Sequence, residues 1–260
     1  MPIFNGLDSI DFTELDSNNL FNNPQTNTPA AKAQKTESPL DYILTKRITC
    51  PVCGLTTDDY TIRRSMLREV DKESDMRTHY RIIDPIRYDI SLCVHCGYAA
   101  SQSNFSKIND RQAMEVMEKI FPNFISKPYH LPISAVEAIE RYKMALLCAV
   151  VKNVKKGDKG MMCLKTAWLY RDLGDSRNEL VFIKNAYKFF MDAFSSENFP
   201  IAGMGDATLL YLIADLAWRS GDSDAARRWV SQLLVKRGIT NNLRYRGENL
   251  REILKEEKHE

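Results

Sequence analysis

Cys50-Pro51-Val52-Cys53-Gly54 and Cys93-Val94-His95-Cys96-Gly97 are the two stretches that decide how this chain is read. Each is a Cys-x-x-Cys pair ending in glycine, and residues 54–92 lie between them. Two such pairs at this separation bring four thiolates around one tetrahedral ion, with Cys50, Cys53, Cys93 and Cys96 as the expected ligands. A glycine after the second cysteine takes φ > 0 freely, and Pro51 fixes φ inside the first turn. Closing the intervening loop costs on the order of 3 kcal/mol of chain entropy. Structural zinc supplies about 10–16 kcal/mol, so the ion can drive folding of a segment with little core of its own.

Four sulfurs fill the coordination shell, whereas catalytic zinc keeps a position open for water. The expected role is therefore structural and the expected ion zinc. Iron in an all-sulfur site is the alternative, since ligand type does not separate the two. His95 is a further candidate ligand, although an exposed histidine between two ligands is the plainer expectation. A disulfide framework is not expected, because the first residues lack a secretory n-region and h-region. A thioredoxin-type pair would open a helix, and Gly54-Leu55-Thr56-Thr57-Asp58 breaks that pattern.

Between the knuckles, Ile86, Tyr88, Ile90 and Leu92 alternate with Arg87, Asp89 and Ser91, which predicts a half-buried strand running into Cys93. Asp71-Lys72-Glu73-Ser74-Asp75 is a polar turn signal after the stretch from Tyr60 to Val70. Strands feeding the knuckles make residues 46–105 a small β-rich zinc ribbon. Residues 1–45 are expected to be a disordered tail, with an Asn/Pro/Thr-rich stretch that cannot offset its ordering entropy. Ile3, Phe4, Leu7, Ile10, Phe12 and Leu15 in that tail could dock as an amphipathic helix, although scattered hydrophobes at a frayed end are the plainer expectation.

Beyond the ribbon, residues 106–133 read as a helix from Asp110 to Ile120 followed by a proline-containing linker with Pro122, Pro128 and Pro132. Residues 134–238 read as almost wholly helical. Ala135 to Val154 carries an apolar face through Ala138, Tyr142, Leu146 and Ala149, and Lys155-Lys156-Gly157 reads as its C-terminal signature. Two helix–turn–helix units follow: Met161 to Leu173 and Asn178 to Phe194 around Gly174-Asp175, then Ala207 to Arg219 and Asp224 to Val235 around Gly221-Asp222. Ala167 and Ala214 each stand seven residues before the turn glycine. This design resembles tetratricopeptide repeats, with turns 47 residues apart rather than about 34. Residues 239–260 read as a charged C-terminal helix or tail. Cys148, Cys163, Trp168, Trp218 and Trp229 fall among apolar helical positions and are expected in the core. The fold class is therefore α+β, a β-rich ribbon followed by an all-α helical domain.

Composition narrows function. The net charge is +2 and hydrophobic residues make up 44 %, which suits a globular protein. No run approaches the ~20 apolar residues of a membrane span. Residues 46–98 hold nine Lys/Arg and eight Asp/Glu, so the ribbon lacks the basic footprint usual for nucleic-acid binding. Arg141, Lys143, Lys152, Lys155, Lys156, Lys159 and Lys165 suggest a basic face for an acidic partner. No nucleophile elbow, phosphate-cradling loop or His-Glu-x-x-His motif occurs.

Several stretches together resemble a bacterial family of unknown function, DUF2225. They include the Cys-Pro-Val-Cys-Gly opening, Ser65-Met66-Leu67-Arg68, Glu73-Ser74-Asp75, Tyr88-Asp89 before Cys93, and Cys96-Gly97-Tyr98-Ala99. The resemblance continues through Tyr142-Lys143-Met144-Ala145-Leu146-Leu147, Ala167-Trp168-Leu169-Tyr170-Arg171 and Leu210-Tyr211-Leu212-Ile213-Ala214-Asp215-Leu216, spanning roughly residues 47–235. It implies a ribbon joined to TPR-like helices in a bacterial cytoplasmic protein, with the four cysteines as its only transferable site and no reaction. The expected function is a non-enzymatic interaction protein whose helices grip a protein or peptide partner. Nucleic-acid association through the ribbon is the alternative, and an iron-binding redox protein a further one.

Overall fold

The computed structural model describes residues 37–257, so the apolar motif expected before residue 20 lies outside the described residues. Three antiparallel hairpins come first. Strands β1 (Ile43–Thr49) and β2 (Thr56–Ile62) pair from Ile43↔Ile62 to Thr49↔Thr56, which makes the first knuckle their turn. Strands β5 (Ile90–Leu92) and β6 (Ala99–Ser101) close at Leu92↔Ala99 around the second knuckle. Between them, β3 (Glu69–Lys72) and β4 (Thr78–Tyr80) form a hairpin with a register shift between Glu69 and Asp71. The ribbon begins before the expected boundary at 46, because Tyr42 is buried and β1 starts at Ile43.

The strand expected from Ile86 onward exists only in its second half. Asp84 caps a 3-10 turn over Pro85–Tyr88, with its side chain accepting from the Ile86 N–H at 3.0 Å. Pro85 at the first position is preorganised for such a turn. The alternation nevertheless marks burial correctly, since Ile86, Tyr88, Ile90 and Leu92 are all inside. Period-two burial holds through the 3-10 turn to Ile90 but ends in the strand itself, where Ser91 is buried as well and both faces are covered.

Seven helices follow among the described residues: α1 (Asp110–Lys119), α2 (Ala135–Val151), α3 (Lys156–Asp172), α4 (Ser176–Ser196), α5 (Asp206–Arg219), α6 (Ser223–Val235) and α7 (Asn241–Glu256). The Ser134 hydroxyl and Glu137 carboxylate make a reciprocal capping box at the start of α2. Ala138, Ala145 and Ala149 are buried on α2, and small side chains let a helix approach a sheet closely. There Tyr142 donates to the Ile86 carbonyl at 3.1 Å.

Lys155-Lys156-Gly157 does not end α2. That helix stops at Val151, Asn153 turns the chain with φ 50°, and Lys156 opens α3. The Glu197 carboxylate accepts from the Lys156 N–H at 2.5 Å, satisfying an orphan donor of the new helix. Gly157 is there for space rather than for a cap, because a Cβ would meet Ile201 at 2.4 Å.

The turns at Gly174-Asp175 and Gly221-Asp222 repeat one design. Each glycine has positive φ, and each following aspartate N–H reaches the carbonyl five residues back, Tyr170 and Ala217, at 3.0 and 2.9 Å. That is a Schellman closure. Asp175 and Asp222 then cap the next helix by accepting from Asn178 and Ala225 N–H groups. Ala167, Ala186, Ala214 and Ala226 are fully buried, so the hairpins pack closely. One contiguous buried cluster runs from Tyr42 through the knuckles to Leu216, so ribbon and helices share a core.

Candidate metal centre

Both knuckles are built alike. Cys50 N–H donates to the Leu55 carbonyl at 2.9 Å and Cys93 N–H to the Tyr98 carbonyl at 2.8 Å. Gly54 N–H returns to Cys50 at 2.9 Å and Gly97 N–H to Cys93 at 3.0 Å. Both glycines lie in the left-handed region, with φ 73° and 76°. The difference between them is cover. Gly54 faces open space, while a Cβ on Gly97 would stand 2.6 Å from the Phe124 ring. The expected linker therefore lies over the second knuckle, and Ile133 further along it is buried and donates its N–H to the Tyr88 hydroxyl at 3.0 Å.

The structure brings all four predicted cysteines together. Their sulfurs lie within 4.8 Å of one another, with Cys50 and Cys96 3.6 Å apart and Cys53 and Cys93 3.7 Å apart. A tetrahedron with metal–sulfur bonds of ~2.3 Å has edges of ~3.8 Å, so the cluster has the size of a metal site. Protonation cannot satisfy the group evenly. Contacts with Cys50 and Cys96 lower the Cys93 thiol, while the contact with Cys93 raises Cys50 and contacts with Cys50 and Cys93 raise Cys96. A divalent cation would replace the shared protons with one charge common to four sulfurs. The four cysteines can therefore hold a metal ion.

His95 stands apart from that cluster. It is exposed, and its Nε2 lies 3.1 Å from the Thr56 carbonyl, a contact in which the ring nitrogen donates. Cys148 and Cys163 are buried on α2 and α3, and burial pushes their thiols up to about 11 and about 12. Cys148 buttresses the second knuckle from behind, its sulfur accepting from the Ala99 N–H at 3.3 Å.

The sequence gives no sign of a second constellation. The tip of the β3–β4 hairpin, residues 73–77, reaches the helices and is held by charges there. Asp75 is fully buried and accepts from Trp168 Nε1 at 2.9 Å and from Arg171 at 2.8 Å. Burial would push its carboxyl up, but Arg219 and Arg171 outweigh that and hold it below the usual carboxylate range. Arg77 is equally buried, donating to the Trp168 carbonyl at 2.8 Å and to both Asp172 oxygens at 2.6 and 2.7 Å. The Ser74 carbonyl accepts from Tyr211 and the Glu73 carbonyl from Arg246, so α3, α5 and α7 all grip the turn. The expected basic face is also incomplete, because Arg141 and Lys152 are buried, Arg141 donating to the Ile90 carbonyl and Lys152 to the Tyr98 hydroxyl.

Residues 43–260 match a family described as an uncharacterized protein conserved in bacteria, DUF2225. The chain belongs to the DUF2225 family. The match takes in both knuckles and all seven helices, so this DUF2225 protein shares with its family the ribbon and the helices together. No curated protein and no solved structure matches it. No helix among the described residues is long and apolar enough to cross a membrane.

Proposed function

We propose that this DUF2225 protein is a non-enzymatic interaction protein, clamped by structural zinc at Cys50, Cys53, Cys93 and Cys96, that docks a protein partner on its helical part. The observation that carries this reading is a set of exposed apolar side chains on α2 and the segment before it, with Glu140 and Lys143 between them on the helix. Ile125 is 86 % exposed, and Val136, Leu147 and Val150, spaced eleven and three residues apart, share a face of α2 at 54, 48 and 61 % exposure. Ile125 and Leu147 line a groove of about 500 Å³ with Ile120, Phe124 and Met144. Exposed apolar surface gathered in this way marks interaction sites, whereas single exposed hydrophobes do not.

The placement differs from the one expected at the TPR-like hairpins, because the face shared by α3, α5 and α7 already holds the chain's own turn. Lys119, Lys127 and Lys143 border the groove against one carboxylate, Glu140, which pairs with Lys127; the excess of positive charge favours a partner segment carrying acidic residues beside its apolar ones. Zinc is the proposed ion because a closed four-cysteine shell is its usual structural arrangement. The proposed compartment is the cytoplasm, in keeping with six free cysteines and a bacterial family.

The test is affinity capture from source cells with wild type and an Ile125→Glu/Leu147→Glu variant, both checked for folding. A protein retained by wild type and lost by the variant is the expected result. Equal retention by both would remove this face from the reading. Elemental analysis of the same preparations should give one zinc per chain, and stoichiometric iron would replace zinc as the clamp.

A further inference from the structure

Beside the second knuckle lies a cleft of about 600 Å³, walled by the β1–β2 hairpin on one side and residues 127–129 on the other. Arg141 is part of its wall. This side chain is 3 % exposed, and its Nε and Nη1 have no hydrogen-bond partner. Its carboxylate neighbour, Asp59, presents Oδ1 at 3.5 Å from Nη2, beyond a good charged hydrogen bond, while Lys46 at 3.6 Å and the Ser91 hydroxyl at 2.7 Å both take Oδ2. A buried guanidinium with two unspent donors, beside a carboxylate oxygen that makes no good hydrogen bond either, is an incomplete arrangement.

The rest of the cleft has the same sign. Arg47 and Lys127 also line it, against one lining carboxylate, Asp58. Arg47 meets Asp58 at 3.7 Å on open surface, and Lys127 reaches Glu140. Exposed pairs of that kind are weak and readily exchange partners. Lys127 and Arg141 both stand over the Tyr129 ring, at 5.8 and 5.7 Å from its centre. Two cations gathered at one aromatic ring raise the local positive potential, which an anion in the cleft would lower. Leu92, Val94 and Tyr60 supply an apolar and aromatic portion of the wall.

We propose that this cleft binds the oxyanion of a small ligand, with Arg47, Lys127 and Arg141 facing the anion and the apolar wall receiving a planar or apolar body. The oxyanion is a carboxylate or a phosphoryl group, and both sources fit the same donors. None of the four cysteines lines the cleft, although Val94 and His95 of the second knuckle do, and the cleft adjoins the apolar groove on α2 through Lys127 and Tyr129.

The experiment titrates the metal-loaded full chain with benzoate, phenyl phosphate and uncharged benzamide, followed by amide NMR shifts or calorimetry. Saturable binding of at least one anion below about 10 mM, with benzamide at least tenfold weaker, is the expected result. Tighter benzoate would mark the ligand as a carboxylic acid, and tighter phenyl phosphate as a phosphate ester. Arg47→Glu and Lys127→Glu change exposed side chains, so each should fold and weaken the anion by about tenfold or more. Arg141→Lys, keeping the charge without the planar donors, should weaken it as well. No saturation by either anion, or affinity unchanged in the Arg47 and Lys127 variants, would overturn the proposal. The Ile125→Glu/Leu147→Glu variant should retain anion binding, so failure of the partner-docking reading and failure of this one are told apart.

Discussion

Gly54 and Gly97 make one comparison at the scale of single residues. Both hold positive φ in equivalent turns, but only Gly97 lies under an aromatic ring. Alanine at Gly54 should cost about 1–2 kcal/mol from backbone strain alone. Alanine at Gly97 should cost a further 1–3 kcal/mol or so, because Phe124 must move. Urea melts of the two variants measure the difference, and equal costs would mean that Phe124 yields freely. Both glycines and all four cysteines were legible in the sequence because the chemistry of a knuckle is confined to five consecutive residues. Phe124 over Gly97 was not, since nothing at residue 124 announces which surface it covers. Arg141 escaped for the same reason: helical spacing gives its place on α2 but not the burial of its guanidinium.

Among elements, the β3–β4 hairpin carries the largest electrostatic stake. Asp75→Ala would leave Trp168 Nε1 without its acceptor and Arg171 and Arg219 with less counter-charge, a loss of about 3 kcal/mol. Asp58→Ala removes a carboxylate facing Arg47 at 3.7 Å with both side chains mostly exposed, and should change stability by less than about 0.5 kcal/mol. Chemical denaturation of both variants checks the contrast. Acid separates them too. The Asp75 carboxyl is held below its usual range, so its stabilising contribution is complete above the ordinary aspartate pKa and is lost as pH falls through the depressed folded value. Wild type should therefore lose stability more steeply than Asp75→Asn below about pH 4, and parallel curves would mean that Arg219 and Arg171 do not hold this carboxyl down. The polar run from Asp71 to Asp75 was legible as a turn but not as a buried one. Its partners on the helices lie 93 to 173 residues away, beyond any local pattern. The Gly-Asp turns of the helices were legible because their hydrogen bonds close within six residues, while Lys155-Lys156-Gly157 misled because a packing glycine and a capping glycine look alike in sequence.

For the whole molecule, the shared core predicts that ribbon and helices do not melt independently. Removing the metal with a chelator, or replacing Cys93 by Ser, should lower the thermal midpoint of the helical circular dichroism signal as well as release the ion. A helical transition that stays fixed while the metal is lost would separate the two halves energetically. The α+β class and the order of its parts were legible from the knuckles and the helical punctuation, but the joining of the halves through residues 73–77 was not. That joining also has a direction in time. Arg246 is made 173 residues after Glu73, an interval of roughly 10–35 s at ordinary rates of synthesis. All four cysteines leave the ribosome well before α7 does. The four cysteines that can hold an ion are thus available to tie off the first hairpins while the arginine that closes over the turn has yet to be translated.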